Sequence, residues 1–155
     1  LKGRDIKIVV DATKELLVKS LPYGPFLIKP NNYELGEIFG VRLTTRSSVI
    51  PYAKKLQNMG ARNVLVSMAG EGAVLVSDDG QVIDAPAPEG KLINGVGAGD
   101  SMVAGFMAGY LARHDYNHAF CMGVASGSAS AFSENLATKE EIEKVYKTIV
   151  LEEKV

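Results

Sequence analysis

The chain has no tryptophan, two histidines and a single cysteine among its 155 residues. One cysteine cannot close an internal disulfide, so Cys121 reads as a small core residue in a reducing, cytoplasmic setting. His114 and His118 stand four apart with a helix break between them, and no further ligand follows at a zinc-like interval, so both read as surface residues. Charge of one sign is also lacking. With 17 Lys and Arg against 18 Asp and Glu, no basic footprint argues for nucleic acid or an anionic membrane surface. No apolar run is long and uninterrupted enough to span a bilayer, and no signal peptide is visible.

What is present is an ordinary globular balance, 46% apolar and 23% charged, in a length that suits one domain over residues 1–155. Strand and helix signals alternate. Short β-branched or apolar runs at Ile6–Val10, Phe26–Ile28, Asn63–Ser67 and Ala73–Ser77 predict strands. The Asp78-Asp79-Gly80 turn signal leads into another strand over Gln81–Ala85. Helices are predicted over residues 13–20, 32–39 and 47–59, then 99–113, 115–132 and 138–149. That alternation predicts an α/β fold, a three-layer αβα sandwich around a mainly parallel sheet.

Three segments point to chemistry. In Asn94-Gly95-Val96-Gly97-Ala98-Gly99-Asp100-Ser101, alternate glycines permit a tight turn just before a helix. Free amide groups at such a start attract an anion, yet the carboxylate of Asp100 lies among them. An acid amid phosphate-attracting donors suggests a base beside a transferring phosphoryl group. The alternative is a glycine loop entering a packed helix, with Asp100 complementing the dipole. A dinucleotide turn is excluded, because Asp100 falls where close helix–strand packing needs a small residue.

The second segment, Ser67-Met68-Ala69-Gly70-Glu71-Gly72, ends a strand, where open α/β sheets bind ligands; a simple β-turn explains it equally well. The third, Lys29-Pro30-Asn31-Asn32-Tyr33-Glu34, holds an Asn and a Glu three apart at a helix start. In isolation that pair reads first as a helix cap, and second as a holder of magnesium-bound water. The Gly105/Gly109 and Gly123/Gly127 spacings suggest close helix packing. Ser130, Ser133 and Asn135 fit either a nucleotide base or a crowded helix end.

Together, Lys29–Leu35, Val66–Val76 and Asn94–Met102 resemble the C-terminal half of the PfkB (ribokinase-like) carbohydrate kinases. The 1-phosphofructokinase and tagatose-6-phosphate kinase branch is the most similar, and the resemblance covers essentially the whole chain. It implies ATP-dependent phosphorylation of a sugar phosphate, fructose 1-phosphate or tagatose 6-phosphate. In that case Asp100 is the base, and Gly97, Ala98 and Gly99 supply an amide anion hole. Ser67, Met68, Ala69, Gly70, Glu71 and Gly72 border ATP, with Lys29 on its phosphates, and Asn31 and Glu34 organise Mg2+ through water. Asn94 stands where potassium-activated members carry an acid, which argues against a potassium requirement.

The resemblance also implies missing parts: N-terminal strands, a sugar-binding motif and a β-sheet lid through which full-length members often form homodimers. The chain is therefore expected to be an incomplete kinase, inactive alone, with an uncovered sheet edge. The rival expectation is a non-catalytic fragment that at most binds nucleotide or self-associates.

Overall fold

The computed structural model describes residues 6–153. It divides into two compact units, one running to Met68 and including Val74–Val82, the other comprising Ala69–Ala73 and the chain from Ile83. Within each unit, hydrogen-bonded strand neighbours follow chain order.

In the first unit, β1 (Val9–Val10) pairs in parallel with β2 (Leu27–Ile28), and β2 with β3 (Asn63–Ser67). The expected strand over Ile6–Val10 contracts to two residues. Ile6 is 49% exposed, and β1 lies at one end of the strand order among the described residues. Between the strands run α1 (Lys14–Ser20), α2 (Asn32–Phe39) and α3 (Arg46–Asn58). Their apolar faces supply Leu17, Leu35, Val49, Ala53 and Leu56 to one cluster with Ile28, Val64 and Val66. Alternation along β3 puts Leu65 on the opposite face, and it too is fully buried. A strand apolar on both faces is the mark of a sheet covered on both sides.

β4 (Ala73–Val76) is followed by the expected turn. The Ser77 amide donates to the Gln81 carbonyl at 3.0 Å, and the Gly80 amide to the Ser77 carbonyl at 3.1 Å. β5 (Val82–Ala85) comes next and pairs antiparallel with β6 (Glu152–Glu153), a short strand that no sequence signal announced.

The second unit is dominated by α4 (Ala98–Arg113), α5 (Tyr116–Ala131) and α6 (Lys139–Tyr146). The small-residue spacing on α4 and α5 is a packing seam. A Cβ added at Gly105 would lie 2.5 Å from the Met122 carbonyl oxygen, and one at Gly127 would lie 3.0 Å from that of Ala98. α6 ends at Tyr146, three residues short of expectation, as the chain passes into tighter turns closed by the Thr148 and Ile149 amides.

Candidate active site

The carboxyl ends of β1, β2 and β3 carry the predicted residues of the first unit. Just past β2, Lys29 is only 8% exposed, and its ammonium lies 3.6 Å from the Asp11 carboxylate at the end of β1. Asp11 carries no sequence signal beyond that of an acid directly following a β-branched run. Asn31 forms an isolated parallel bridge with Ser67, and the Ser67 amide donates to the Pro30 carbonyl at 3.1 Å.

Asn31 and Glu34 form a reciprocal capping box. The Glu34 amide donates to Asn31 Oδ1 at 2.8 Å, and the Asn31 amide donates to Glu34 Oε2 at 2.9 Å. The helix-cap reading is thus realised. Glu34 keeps a second carboxylate oxygen on a half-buried side chain. Magnesium prefers hard oxygen donors and retains several waters, so this donor set suits an ion held mainly through its water shell. Among the described residues no group of three or more His, Cys, Asp or Glu could hold a metal directly.

The Ser67–Gly72 segment is more elaborate than a β-turn. Ala69–Glu71 form a 3-10 turn, with Ala69 at φ 46° and the Gly72 amide donating to the Ala69 carbonyl at 3.1 Å. Gly72, at φ 102°, has no alternative residue: a Cβ there would fall 2.0 Å from the Ala85 carbonyl oxygen. Gly70 faces open space. Met68 is buried in the apolar cluster, so it can offer a ligand only its main chain.

In the second unit the glycine turn is fastened to the end of α5. The Ile93 and Asn94 amides donate to the Ala131 carbonyl at 2.8 and 3.1 Å. Asn94 braces the loop from within, its Oδ1 accepting from the Val96 amide at 3.0 Å and its Nδ2 donating to the Glu134 carbonyl at 3.1 Å. Gly97 then adopts φ 79° and ψ −5°, and α4 begins at Ala98. No side chain caps this helix, nor the short α1, whereas Asn31, Thr45, Asp115 and Thr138 cap α2, α3, α5 and α6. Asp100 stands exposed in the first turn. Amides of Gly97, Ala98 and Gly99 therefore lie at a helix start with a carboxylate among them, as the sequence suggested.

The ambiguous serines serve the fold. Ser130 Oγ donates to Ser101 Oγ at 3.0 Å and accepts from the Ala137 amide at 3.1 Å, and Ser133 Oγ donates to the Ala129 carbonyl at 2.9 Å. Asn135 lies exposed in the turn that follows. The two histidines go separate ways. His114 closes α4 in the left-handed region, while His118 Nδ1 meets the Tyr146 hydroxyl at 2.8 Å. Burial, reinforced by Arg113, holds His118 below its ordinary value. Cys121 is buried, and its thiol is pushed up to about 11, which leaves it inert.

Comparison with known proteins identifies the pattern. A family described as pfkB family carbohydrate kinase matches residues 2–143. The 1-phosphofructokinase of Bacillus subtilis is 48% identical over 93% of this chain, and a D-tagatose-1-phosphate kinase of Bacillus licheniformis is 31% identical over 90%. A Staphylococcus aureus crystal structure assigned as a phosphofructokinase superposes with a TM-score of 0.89 at 43% identity, covering 94% of this chain. The chain spans about half the length of these relatives, 47% of the first and 46% of the second, and 47% of the crystallised chain.

Proposed function

The chain belongs to the pfkB family of carbohydrate kinases, and from that membership we propose that it carries the nucleotide and catalytic half of an ATP-dependent sugar-phosphate kinase. Fructose 1-phosphate is the acceptor we favour, since the B. subtilis relative at 48% identity is a 1-phosphofructokinase. A ketose 1-phosphate of the tagatose series is the next candidate, because another relative is a D-tagatose-1-phosphate kinase; the tagatose 6-phosphate expectation has less support.

The observation that carries the reading is the uncapped start of α4, where left-handed Gly97 precedes a helix with exposed Asp100 in its first turn. Phosphoryl transfer asks a protein for positioning and charge stabilisation more than for covalent chemistry. Asp100 accepts the proton of the sugar hydroxyl as that oxygen attacks the γ-phosphorus and the bond to ADP breaks. Amides of Gly97, Ala98 and Gly99 stabilise the charge on the transferring group. Lys29 contacts the nucleotide phosphates, and Ser67 to Gly72 border the nucleotide, Met68 through its backbone alone. Asn31 and Glu34 would hold the water shell of Mg2+, which when bound neutralises phosphate charge. A cytoplasmic location accords with the lone Cys121 and with this substrate class.

A kinase assay with ATP and each ketose phosphate tests the proposal, in the chain and in a full-length protein that contains it. Asp100→Asn is expected to lower kcat about 1000-fold while leaving ATP affinity within about twofold, a loss within the range that a positioned proton acceptor supplies. A comparable loss of ATP binding would remove Asp100 from the role of base. The second reading is a chain that binds nucleotide without turnover. ATP binding without phosphorylation both by the 155-residue chain and by a full-length protein that contains it would support this reading, since the first expects turnover in the full-length protein.

A further inference from the structure

Lys29 is a charged side chain almost withdrawn from water, and among the described residues its ion-pair partner is Asp11, at 3.6 Å. The register of the sheet creates the pair. Val10 lies opposite Ile28 in the parallel β1–β2 ladder, so the next residue of each strand leaves the sheet beside the other. Both therefore stand at the carboxyl rim, the end at which open α/β sheets bind ligands.

The distance matters. At 3.6 Å the contact is electrostatic but too long for a hydrogen bond, so the carboxylate orients the ammonium without occupying its three N–H donors. The side chains also differ in exposure, 10% for Lys29 against 40% for Asp11. A nearly buried ammonium on a flexible four-carbon stem is costly without a counter-charge and poorly directed without a fixed partner.

We propose that Asp11 is a positioning residue that holds the Lys29 ammonium at the β1–β2 rim, with its donors free for an oxyanion of the nucleotide phosphate chain. This rests on the reading of Lys29 as a phosphate contact. Two effects of Asp11 oppose each other there. Its negative charge repels phosphate, whereas its pairing aims the lysine. Repulsion from a carboxylate 40% exposed is screened by water and salt, while the orientation of a side chain 10% exposed is not. Orientation therefore wins, and removal of the carboxylate weakens phosphate binding although it removes a repulsive charge.

The test follows acetylation of Lys29 by acetic anhydride, read by peptide mass spectrometry, with ATP as protectant. It is run in EDTA and again with Mg2+, on the wild type, Asp11→Asn and Asp11→Glu, with Asp11→Ser standing in should the Asn variant not fold. In the wild type, ATP slows labelling of Lys29. In Asp11→Asn unprotected labelling speeds up several-fold, and the ATP concentration for half-protection rises about tenfold, which corresponds to about 1.4 kcal/mol. Asp11→Glu recovers most of the protection. Tighter protection in Asp11→Asn would overturn the proposal in favour of a mere counter-charge. A loss seen only with Mg2+ would overturn it in favour of action through the metal. Failure of ATP to protect wild-type Lys29 would overturn the phosphate-contact reading itself, and the proposal with it.

Discussion

Asn31 and Glu34 each offer one oxygen to the other's backbone amide, so the same two side chains that start α2 are those proposed to organise magnesium. Substitution can separate these duties. Glu34→Gln keeps an acceptor for the Asn31 amide and removes the charge. It should leave urea stability within about 0.5 kcal/mol, yet raise the Mg2+ concentration needed for nucleotide binding or turnover. Glu34→Ala should add a stability loss of about 1 kcal/mol, the usual worth of a cap. Equal stability losses in both variants would mean that the charge itself stabilises the helix start. At this scale the sequence was informative where chemistry is local. The Asn31/Glu34 spacing announces its own cap, and Gly97 its own turn. Asp11 was hidden because its meaning depends on strand register, which brings it beside a lysine 18 positions further along, and no local pattern encodes that.

At the scale of elements, the α4–α5 seam carries a sharper prediction. Gly105 faces the Met122 carbonyl oxygen and the Ser126 hydroxyl so closely that a Cβ would sit 2.5 and 2.3 Å from them. A backbone carbonyl cannot step aside as a side chain can. Gly105→Ala should therefore force the helices apart and cost about 2–3 kcal/mol despite alanine's better helix propensity. Chemical denaturation monitored by circular dichroism would measure it, and an unchanged or raised midpoint would show that the seam can relax. The seam was visible in the sequence as a small-residue rhythm. Helix ends were less so: α6 stops at Tyr146 because packing and turn formation, rather than propensity, decide its last turn. β6 was invisible, since two glutamates carry no strand signal and pair only because β5 offers an edge.

For the whole molecule, the titrating groups set a window of stability. His118 is held below its ordinary 6.5, chiefly by burial, so the native state prefers the neutral ring. Its contribution is complete above pH 6.5 and is lost as the pH falls below that. Asp79 is also lowered, because hydrogen bonds from Ser77 and Gln81 outweigh a burial effect that acts in the opposite direction. Glu141 is lowered by hydrogen bonds from Thr138, and the carboxylates add a further loss below pH 4.5 for Glu141 and below pH 3.8 for Asp79. At the alkaline end burial raises Cys121 from 9.0 to about 11, so the native state retains a proton that the unfolded chain releases. Thermal midpoints should thus form a plateau from about pH 6.5 to 9 and decline on both sides. Tyr146→Phe, which removes the hydroxyl beside His118, should alter the slope near pH 6, and it should also weaken the alkaline limb, because burial raises the Tyr146 hydroxyl above its ordinary 10.0. A midpoint that stays level down to pH 5 would remove His118 from this account.

The uncapped start of α4 has a consequence for engineering. Routine stabilisation would flag Gly97 as a defect, a left-handed residue at a helix entrance where a capping side chain is customary. Any such side chain would meet Leu136, whose Cδ2 would lie 2.9 Å from the new Cβ, and would compete for the amides proposed to receive phosphate. The left-handed φ of 79° and the Leu136 contact make such a change costly to the fold as well, so selection for thermal resistance and selection for turnover would both keep the glycine. A repair guided only by the missing cap would lose durability and catalysis together.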